Sequence, residues 1–492
     1  MGKEIMIRDL TFSYGGNGNQ LEHISLDIAA GEVIVMTGPS GSGKSSLTRV
    51  INGLIPYFYE GELSGDVFVY GKPLKEIPSW ERGKIIGNVF QDPRSQFFAN
   101  EVAGEVAFGC ENYGYSHEEI RNHVHRAAAD IKIQNILDHS LHSLSYGMRQ
   151  KVAIASAEAI DPEIYVMDEP SANLDIASTY RFADIICDLK QQGKTIIIAE
   201  HRLYYLMDLA DRFLCVQKGK IVREFTAQQM KALTNKEIQA LGLRTPDLHQ
   251  IEQTEIPSAA TGEVVLKVKK LNHSFGETIV AKDIDFQCRK GEVIALIGPN
   301  GTGKSTIGRI LAGLLKEKSG EVVLFGKHCR PKDRLEKVWY IPQDLDSHLF
   351  GEDLLDELTT GSEASPERKQ AAEEILEALE LTPFIKQHPS TLSGGQKQRL
   401  TLGVALIHEA PIIILDEPTS GLDGTNMRNV SRMIRKLAKM GRTIIVITHD
   451  AECALACCER AMRLENGYIT DDFQIRGAEL LLKKIGYDQK EG

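Results

Sequence analysis

Two stretches of this chain hold residues whose types and spacing suit binding of a polyphosphate. Gly38-Pro39-Ser40-Gly41-Ser42-Gly43-Lys44-Ser45-Ser46 recurs as Gly298-Pro299-Asn300-Gly301-Thr302-Gly303-Lys304-Ser305-Thr306. Glycines at these points let the backbone wrap closely round an anion, so that successive N–H groups and a helix N-terminus face it. The spacing G-x-x-x-x-G-K-[ST] makes each a phosphate-binding loop. Lys44 and Lys304 reach the outer phosphates, Ser45 and Ser305 ligate Mg²⁺, and Ser40, Ser46, Asn300 and Thr306 complete the cradle. Downstream, two apolar runs end in Asp168-Glu169 and Asp416-Glu417. The first acid of each pair suits Mg²⁺ coordination through water. The second is placed to polarise an attacking water as a general base, a role worth roughly 10²–10⁴ in rate. His201 and His449 end the next apolar runs, where an imidazole can sense a γ-phosphate.

These landmarks define an internal repeat. Lys44 to Lys304 is 260 positions, Gln91 to Gln343 is 252, and both Glu169 to Glu417 and His201 to His449 are 248. Order is kept and most of the shrinkage precedes the glutamine, so the chain is one unit of about 230–240 residues, duplicated. The boundaries read as a first domain over 1–243, a linker over 244–262 rich in turn signals, and a second domain over 263–492. Each half alternates strand and helix. Gly31–Met36 reads as a buried strand entering the phosphate loop. Leu47, Val50, Ile51 and Leu54, like Ile307, Ile310, Leu311 and Leu314, have the i, i+3, i+4, i+7 spacing of the helix that follows. Ile164–Met167 and Thr195–Ala199 read as further strands of a largely parallel sheet covered by helices. The stretch between Gln91 and Ser145 reads as a helical insertion, with helix over Glu118–Ile136, and Ala227–Leu241 reads as helix.

Composition bounds the possibilities. The chain has 492 residues, a net charge of −11, 42% hydrophobic and 25% charged residues and 8 cysteines. Such apolar content argues against wholesale disorder, and the apolar runs are strand-length rather than membrane-length. The start Met1-Gly2-Lys3-Glu4-Ile5-Met6-Ile7 fits neither a signal peptide nor the myristoylation pattern. The sparse cysteines suggest reduced thiols in a cytosolic setting. Cys453, Cys457 and Cys458 share a helix face and read as packing; His123, His125, His139 and His142 read as surface residues. The acidic balance argues weakly against nucleic acid as partner.

Between the second phosphate loop and its acids lies Leu392-Ser393-Gly394-Gly395-Gln396-Lys397-Gln398-Arg399. This resembles the signature motif of ATP-binding-cassette (ABC) ATPases, and the resemblance covers nearly the whole chain. It implies two P-loop ABC nucleotide-binding domains in tandem, α/β in class. Each would have a RecA-like, mostly parallel sheet, a helical subdomain and an antiparallel β portion. It further implies ATP hydrolysis with Mg²⁺, and lid glutamines Gln91 and Gln343 that approach the metal. Tyr14 and Phe275 would stack on adenine, with His273 an alternative to Phe275 and an ordinary core role an alternative for Tyr14. Asp175 and Asp423 match the D-loop, and His201 and His449 the switch. In this family two domains pair head-to-tail, so each phosphate loop faces the other domain's signature, Ser393, Gly395 and Gln396 or Ser145 and Gly147.

The residues after Gln91, Asp92-Pro93-Arg94-Ser95-Gln96-Phe97-Phe98 and then Glu105-Val106-Ala107-Phe108, resemble the ATPase subunits of energy-coupling factor (ECF) transporters. The second half keeps traces in Asp344, Ser347-His348-Leu349-Phe350 and Asp356-Glu357. The resemblance implies a transmembrane coupling (T-type) subunit docking beside the lid glutamines, with Phe97, Phe98 and Phe108 forming an apolar groove or else belonging to the core. It also implies a separate membrane subunit that binds a vitamin or transition-metal ion, and a peripheral position on the cytoplasmic face of the membrane. A soluble tandem ATPase acting on ribosomes or DNA, and the ATPase of a sugar importer, are the alternatives. The short linker and acidic charge count against the first of these, and the Gln91–Asn112 segment against the second.

One departure from the family pattern bears on mechanism. The first half reads Leu144-Ser145-Tyr146-Gly147-Met148, with Tyr146 and Met148 where the second half has Gly394 and Gln396. A bulky side chain limits backbone freedom where a loop must close on an anion. In the head-to-tail arrangement the site of Lys44, Glu169 and His201 meets the intact motif, and that of Lys304, Glu417 and His449 the altered one. The first is expected to hydrolyse faster. Glu169→Gln therefore removes more ATPase activity from the assembled complex than Glu417→Gln; equal losses in steady-state assays refute the asymmetry.

Overall fold

A computed structural model describes residues 3–15, 18–251, 262–345, 348–360 and 365–487. The chain forms two compact units, Met1–Asp247 and Leu248–Gly492. Most of the segment read as linker, residues 252–261, lies outside the described residues, as do Met1, Gly2 and Ser347.

In the first unit a six-stranded sheet runs in the order Ile86–Val89, Ile164–Asp168, Thr195–Ala199, Val33–Thr37, Arg212–Gln217, Lys220–Phe225. Its first five strands are parallel and the last pairs antiparallel with its neighbour. Parallel strands covered on both faces must be apolar along their whole length, and Val33–Thr37 and Thr195–Ala199 are buried at every residue. Alternate side chains still serve different layers. Ile34 and Met36 join a core with the phosphate-loop helix Lys44–Ile51 and with a four-stranded antiparallel sheet (Leu21–Ala29, Lys3–Ser13, Glu62–Val69, Lys72–Pro73). Val33 and Val35 face the opposite core, which includes side chains of the helices Val102–Asn112, His117–Asp130 and Tyr146–Glu158.

The second unit repeats this plan. Its sheet order is Val338–Ile341, Ile412–Asp416, Thr443–Ile447, Val293–Ile297, Arg460–Glu465, Tyr468–Gln474. Its antiparallel sheet comprises Thr278–Arg289, Val264–Phe275, Ser319–Leu324 and Lys327–His328. The helical portion comprises Leu354–Thr359, Pro366–Ala378 and Gly394–Ile407. The α/β reading of both halves is thus met, antiparallel portion included. Among the described residues no helix is long and apolar enough to cross a membrane.

Several local expectations are corrected. The phosphate-loop helices end at Ile51 and Leu311, because Gly53 (φ +71°) and Gly313 (φ +81°) turn left-handed; Leu54 and Leu314 lie outside them. Ala227–Leu241 is two short helices, Ala227–Lys231 and Asn235–Ala240, since Thr226 with Gln229 and Thr234 with Glu237 each form a capping box. The helix predicted over Glu118–Ile136 stops at Asp130, and Gln134–Ile136 is a separate 3₁₀ turn. His125, His139 and His142 are exposed, but His123 is half-buried with Nδ1 2.6 Å from the Ala159 carbonyl oxygen. Cys453 and Cys457 lie on the helix Ala451–Cys457, and Cys458 follows its end; all three are buried.

The phosphate loop itself depends on close backbone approach. A Cβ on Gly38 (φ +141°) would stand 2.0 Å from the Val216 carbonyl oxygen, whereas one on Gly41 (φ +73°) would meet nothing within 4 Å. Gly38→Ala therefore costs about 3 kcal/mol or more, and Gly41→Ala about 1 kcal/mol from its backbone alone. Thermal denaturation of the two variants should show the larger loss at Gly38.

Candidate functional site

The strands that converge on the phosphate loop deliver its chemistry. Ile164–Asp168 ends in the first acid, and Glu169 then takes a left-handed conformation (φ +45°) with its N–H donating to the Ala199 carbonyl at 2.8 Å. Glu417 does the same (φ +49°) against Ile447, also at 2.8 Å. Non-glycine residues adopt this conformation at a cost, and its recurrence aims each glutamate back across the strand ends.

In the first unit Glu169 Oε1 lies 3.3 Å from His201 Nε2, and its Oε2 accepts from Gln91 Nε2 at 2.8 Å. The second unit brings Glu417 Oε1 to 2.7 Å from His449 Nδ1, while Oε2 accepts from the Thr448 hydroxyl at 3.3 Å. Gln343 follows the strand Val338–Ile341 and is exposed. Glutamate and histidine, 32 residues apart in sequence, are thus brought together in each unit.

Lys44 Nζ donates to the Gly38 and Pro39 carbonyls at 2.9 and 3.0 Å, and Lys304 Nζ to those of Gly298 and Pro299, each at 2.8 Å. Ser45 Oγ donates to Asp168 Oδ1 at 3.1 Å. Burial pushes the Asp168 carboxyl up to about 6, helped by the neighbouring Glu169 charge and opposed by the Ser45 hydrogen bond. Asp416 is also raised by burial, with Glu417 adding to it, while hydrogen bonds from Ser305 and Tyr340 work against the rise. The Tyr340 hydroxyl donates to Asp416 Oδ2 at 2.6 Å.

The remaining predicted residues fall round this centre or on helix starts. The Tyr14 hydroxyl is 3.2 Å from Ser46 Oγ and accepts from Arg49, so the ring stands at the phosphate-loop helix and is 42% exposed. Phe275 is 55% exposed, whereas His273 is buried at the strand position that Phe12 holds in the first unit; Phe275 is the ring open to a ligand. Ser145 caps the helix Tyr146–Glu158 and Ser393 the helix Gly394–Ile407, where Gln396 completes a capping box. Gly395 is required by packing, since a Cβ there would come within 2.5 Å of Asn426; Gly147 has ordinary clearance. Asp175 and Asp423 are N-caps, accepting from Ser178 and Asn426 backbone N–H groups at 2.7 Å.

Sequence reasoning missed the support behind the histidines. Glu200, buried, accepts from the Ser171 hydroxyl at 2.6 Å, the Tyr205 hydroxyl at 2.9 Å and the His201 N–H at 2.7 Å. In the second unit Asp450 takes the Thr419 hydroxyl at 2.7 Å. The signal was an acid immediately before His201 and immediately after His449. Among the described residues no group of three or more His, Cys, Asp or Glu could hold a metal ion, which includes the three clustered cysteines.

Phosphate loops, strand-end aspartates and glutamate–histidine pairs at the ends of parallel strands, present twice, define a tandem pair of ATP-hydrolysing domains. The family model described as "ABC transporter" matches residues 21–172 and 281–420, and the chain belongs to that family. It is 39% identical over 479 residues to a Treponema denticola protein named "Putative ABC transporter ATP-binding protein", spanning 96% of this chain and 98% of the relative. It is 30% identical over 515 residues to "Putative HMP/thiamine import ATP-binding protein YkoD" of Bacillus subtilis, spanning 99% and 94%. Among solved structures, "Model of ribosome-bound archaeal Pelota and ABCE1" has a TM-score of 0.69 at 23% identity, over 97% of this chain and 81% of that one. That likeness concerns the fold.

A buried carboxyl held near 6 binds protons in the folded chain that it lacks when unfolded, so between about pH 4 and 6 its cost to folding grows with rising pH and is full above that. Asp168→Asn should therefore raise the melting temperature of the nucleotide-free protein by several degrees at pH 7.5. That gain should fade as pH falls below 6 towards 4. A variant-minus-parent difference in Tm that is flat across this range refutes the assignment.

Proposed function

We propose that this chain is the ATP-hydrolysing component of an ECF-type importer for a vitamin or transition-metal ion, bound peripherally at the cytoplasmic face of a membrane. In this reading Lys44 and Lys304 neutralise the outer phosphates, Glu169 and Glu417 deprotonate the attacking water, and His201 and His449 orient those carboxylates and register the γ-phosphate. Ser45 with Asp168, and Ser305 with Asp416, fit Mg²⁺. They are hard oxygen donors, Asp416 is buried and Asp168 half-buried, each beside a second acid, and one or two carboxylates plus substrate phosphates suffice for this ion. Bound there, Mg²⁺ supplies charge neutralisation at the phosphates. Gln91 and Gln343 are the lid residues that would swing towards it. Tyr14 and Phe275 stack on adenine, and the glycines of both loops with Ser145, Gly147, Ser393, Gly395 and Gln396 contact phosphate oxygens.

The observation that carries the importer reading is an exposed phenylalanine held just beyond each lid glutamine. Glu105, buried, accepts the Phe98 and Ala99 N–H groups at 2.8 and 2.9 Å, which turns Phe98 outwards, 73% exposed and stacked on Phe108 at 4.6 Å. Glu357 accepts the Phe350 and Gly351 N–H groups at 2.7 and 2.6 Å, and Phe350 is 76% exposed. Phe97 packs against the core of the first unit, so the apolar face is Phe98 and Phe108 without it. A coupling subunit's helix resting on these rings would sense the lid. The import function in the name of the Bacillus subtilis relative supports the same reading.

The chain tagged in its native host should co-purify from detergent-solubilised membranes with two integral membrane proteins, and Phe98→Ala combined with Phe350→Ala should weaken that association. Recovery only from the soluble fraction bound to ribosomes or DNA refutes the importer reading; recovery with permease subunits of a sugar importer refutes the ECF assignment alone.

A further inference from the structure

Tyr146 is, with Met148, one of the residues by which the first signature loop departs from the second, and its hydroxyl is not idle. It donates to the backbone carbonyl of Gln91, the glutamine whose side chain holds Glu169. The Asn173 side chain hydrogen-bonds the same phenol. Tyr146 is also the first residue of the helix Tyr146–Glu158, so a displacement of that helix start is passed directly to Gln91. At the corresponding places in the second half stand Gly394 and Gly421, both 248 positions on. The tyrosine and its amide partner are therefore present together in one half and both replaced by glycine in the other. Packing does not require glycine at 394, where a Cβ would meet only Leu422 Cδ2 at 3.7 Å, whereas Gly421 takes a left-handed conformation (φ +67°) that asparagine tolerates better than most residues.

We propose that Tyr146 is a positioning residue that keeps Gln91 docked on Glu169, making the first ATPase centre self-restrained until the signature helix moves. The geometry supplies the mechanism. Glu169 has one oxygen facing His201 and the other accepting the Gln91 amide, so the base is engaged on both oxygens while the contact lasts. Gln91 held there is also withheld from the phosphate loop. Loss of the Tyr146 hydrogen bond frees Gln91 and with it one oxygen of Glu169. In the second unit Gly394 stands in place of the tyrosine, and the contacts of Glu417 include His449 and Thr448. The proposal rests on the reading of Glu169 as base.

The test uses the full chain with the second centre silenced by Glu417→Gln. Tyr146→Phe removes the hydroxyl and keeps the ring; it should raise kcat for ATP about three- to tenfold, the worth of one hydrogen bond, with KM changed less than twofold. Tyr146→Gly should do as much. Phe behaving as Tyr while only Gly changes turnover would mean that the ring merely packs, and would overturn the proposal. So would a fall in kcat, or no change in either variant. The converse transfer, Gly394→Tyr with Gly421→Asn in a Glu169→Gln background, should lower turnover of the second centre. Glu169→Gln measured alongside separates the two readings. If it keeps full turnover the base assignment itself fails, whereas an inactive Glu169→Gln with a silent Tyr146→Phe refutes only the restraint.

Discussion

Two carboxylates side by side at the end of a buried strand repel each other and have lost much of their water. That is the constraint round which each half of this protein is arranged. Asp168 answers it by rising to about 6 and taking the Ser45 hydroxyl, Glu169 by meeting His201 and Gln91. Asp416 and Glu417 face the same problem with Ser305, Tyr340, His449 and Thr448. Desolvating an acidic pair is unfavourable, and the phosphate-loop lysines Lys44 and Lys304 offset part of that cost.

The sheet makes the pairing possible. Parallel strands in one order place the ends of Ile164–Asp168, Thr195–Ala199 and Val33–Thr37 together, so acid, histidine and phosphate loop meet although more than a hundred residues separate the first from the last. Apolar side chains on both faces fix these strands, and the left-handed turn at Glu169 and Glu417 then aims the second acid. Behind the histidine, Glu200 and Asp450 perform one task from opposite sides of it in sequence. The duplicated halves have kept the hydrogen-bonding requirement while changing the residue that meets it.

Much of this was legible beforehand because it rests on local rules. The phosphate loops are recognisable from glycines that must turn left-handed or approach backbone closely, the strands from unbroken apolar runs, and the acids from their place at the ends of those runs. Local rules misjudged lengths where a competing local signal intervened: Gly53 and Gly313 stopped helices, and Thr234 capped a new one inside an expected single helix. They also treated His123 as surface and left Phe97 open between groove and core, since whether a half-apolar side chain packs depends on what lies opposite.

By itself the sequence determined the duplication, the α/β class, the nucleotide chemistry and the positions of its main residues, because each depends on residue type and spacing along the chain. Only the tertiary structure decided which partner each residue takes. It seated Gln91 on Glu169, made Phe275 rather than His273 the open ring, put Glu105 and Glu357 under the loops that expose Phe98 and Phe350, and joined Tyr146 to Gln91. The physical reason is that hydrogen bonds and burial are contacts between distant segments, and spacing in sequence does not encode which segments the sheet order brings together.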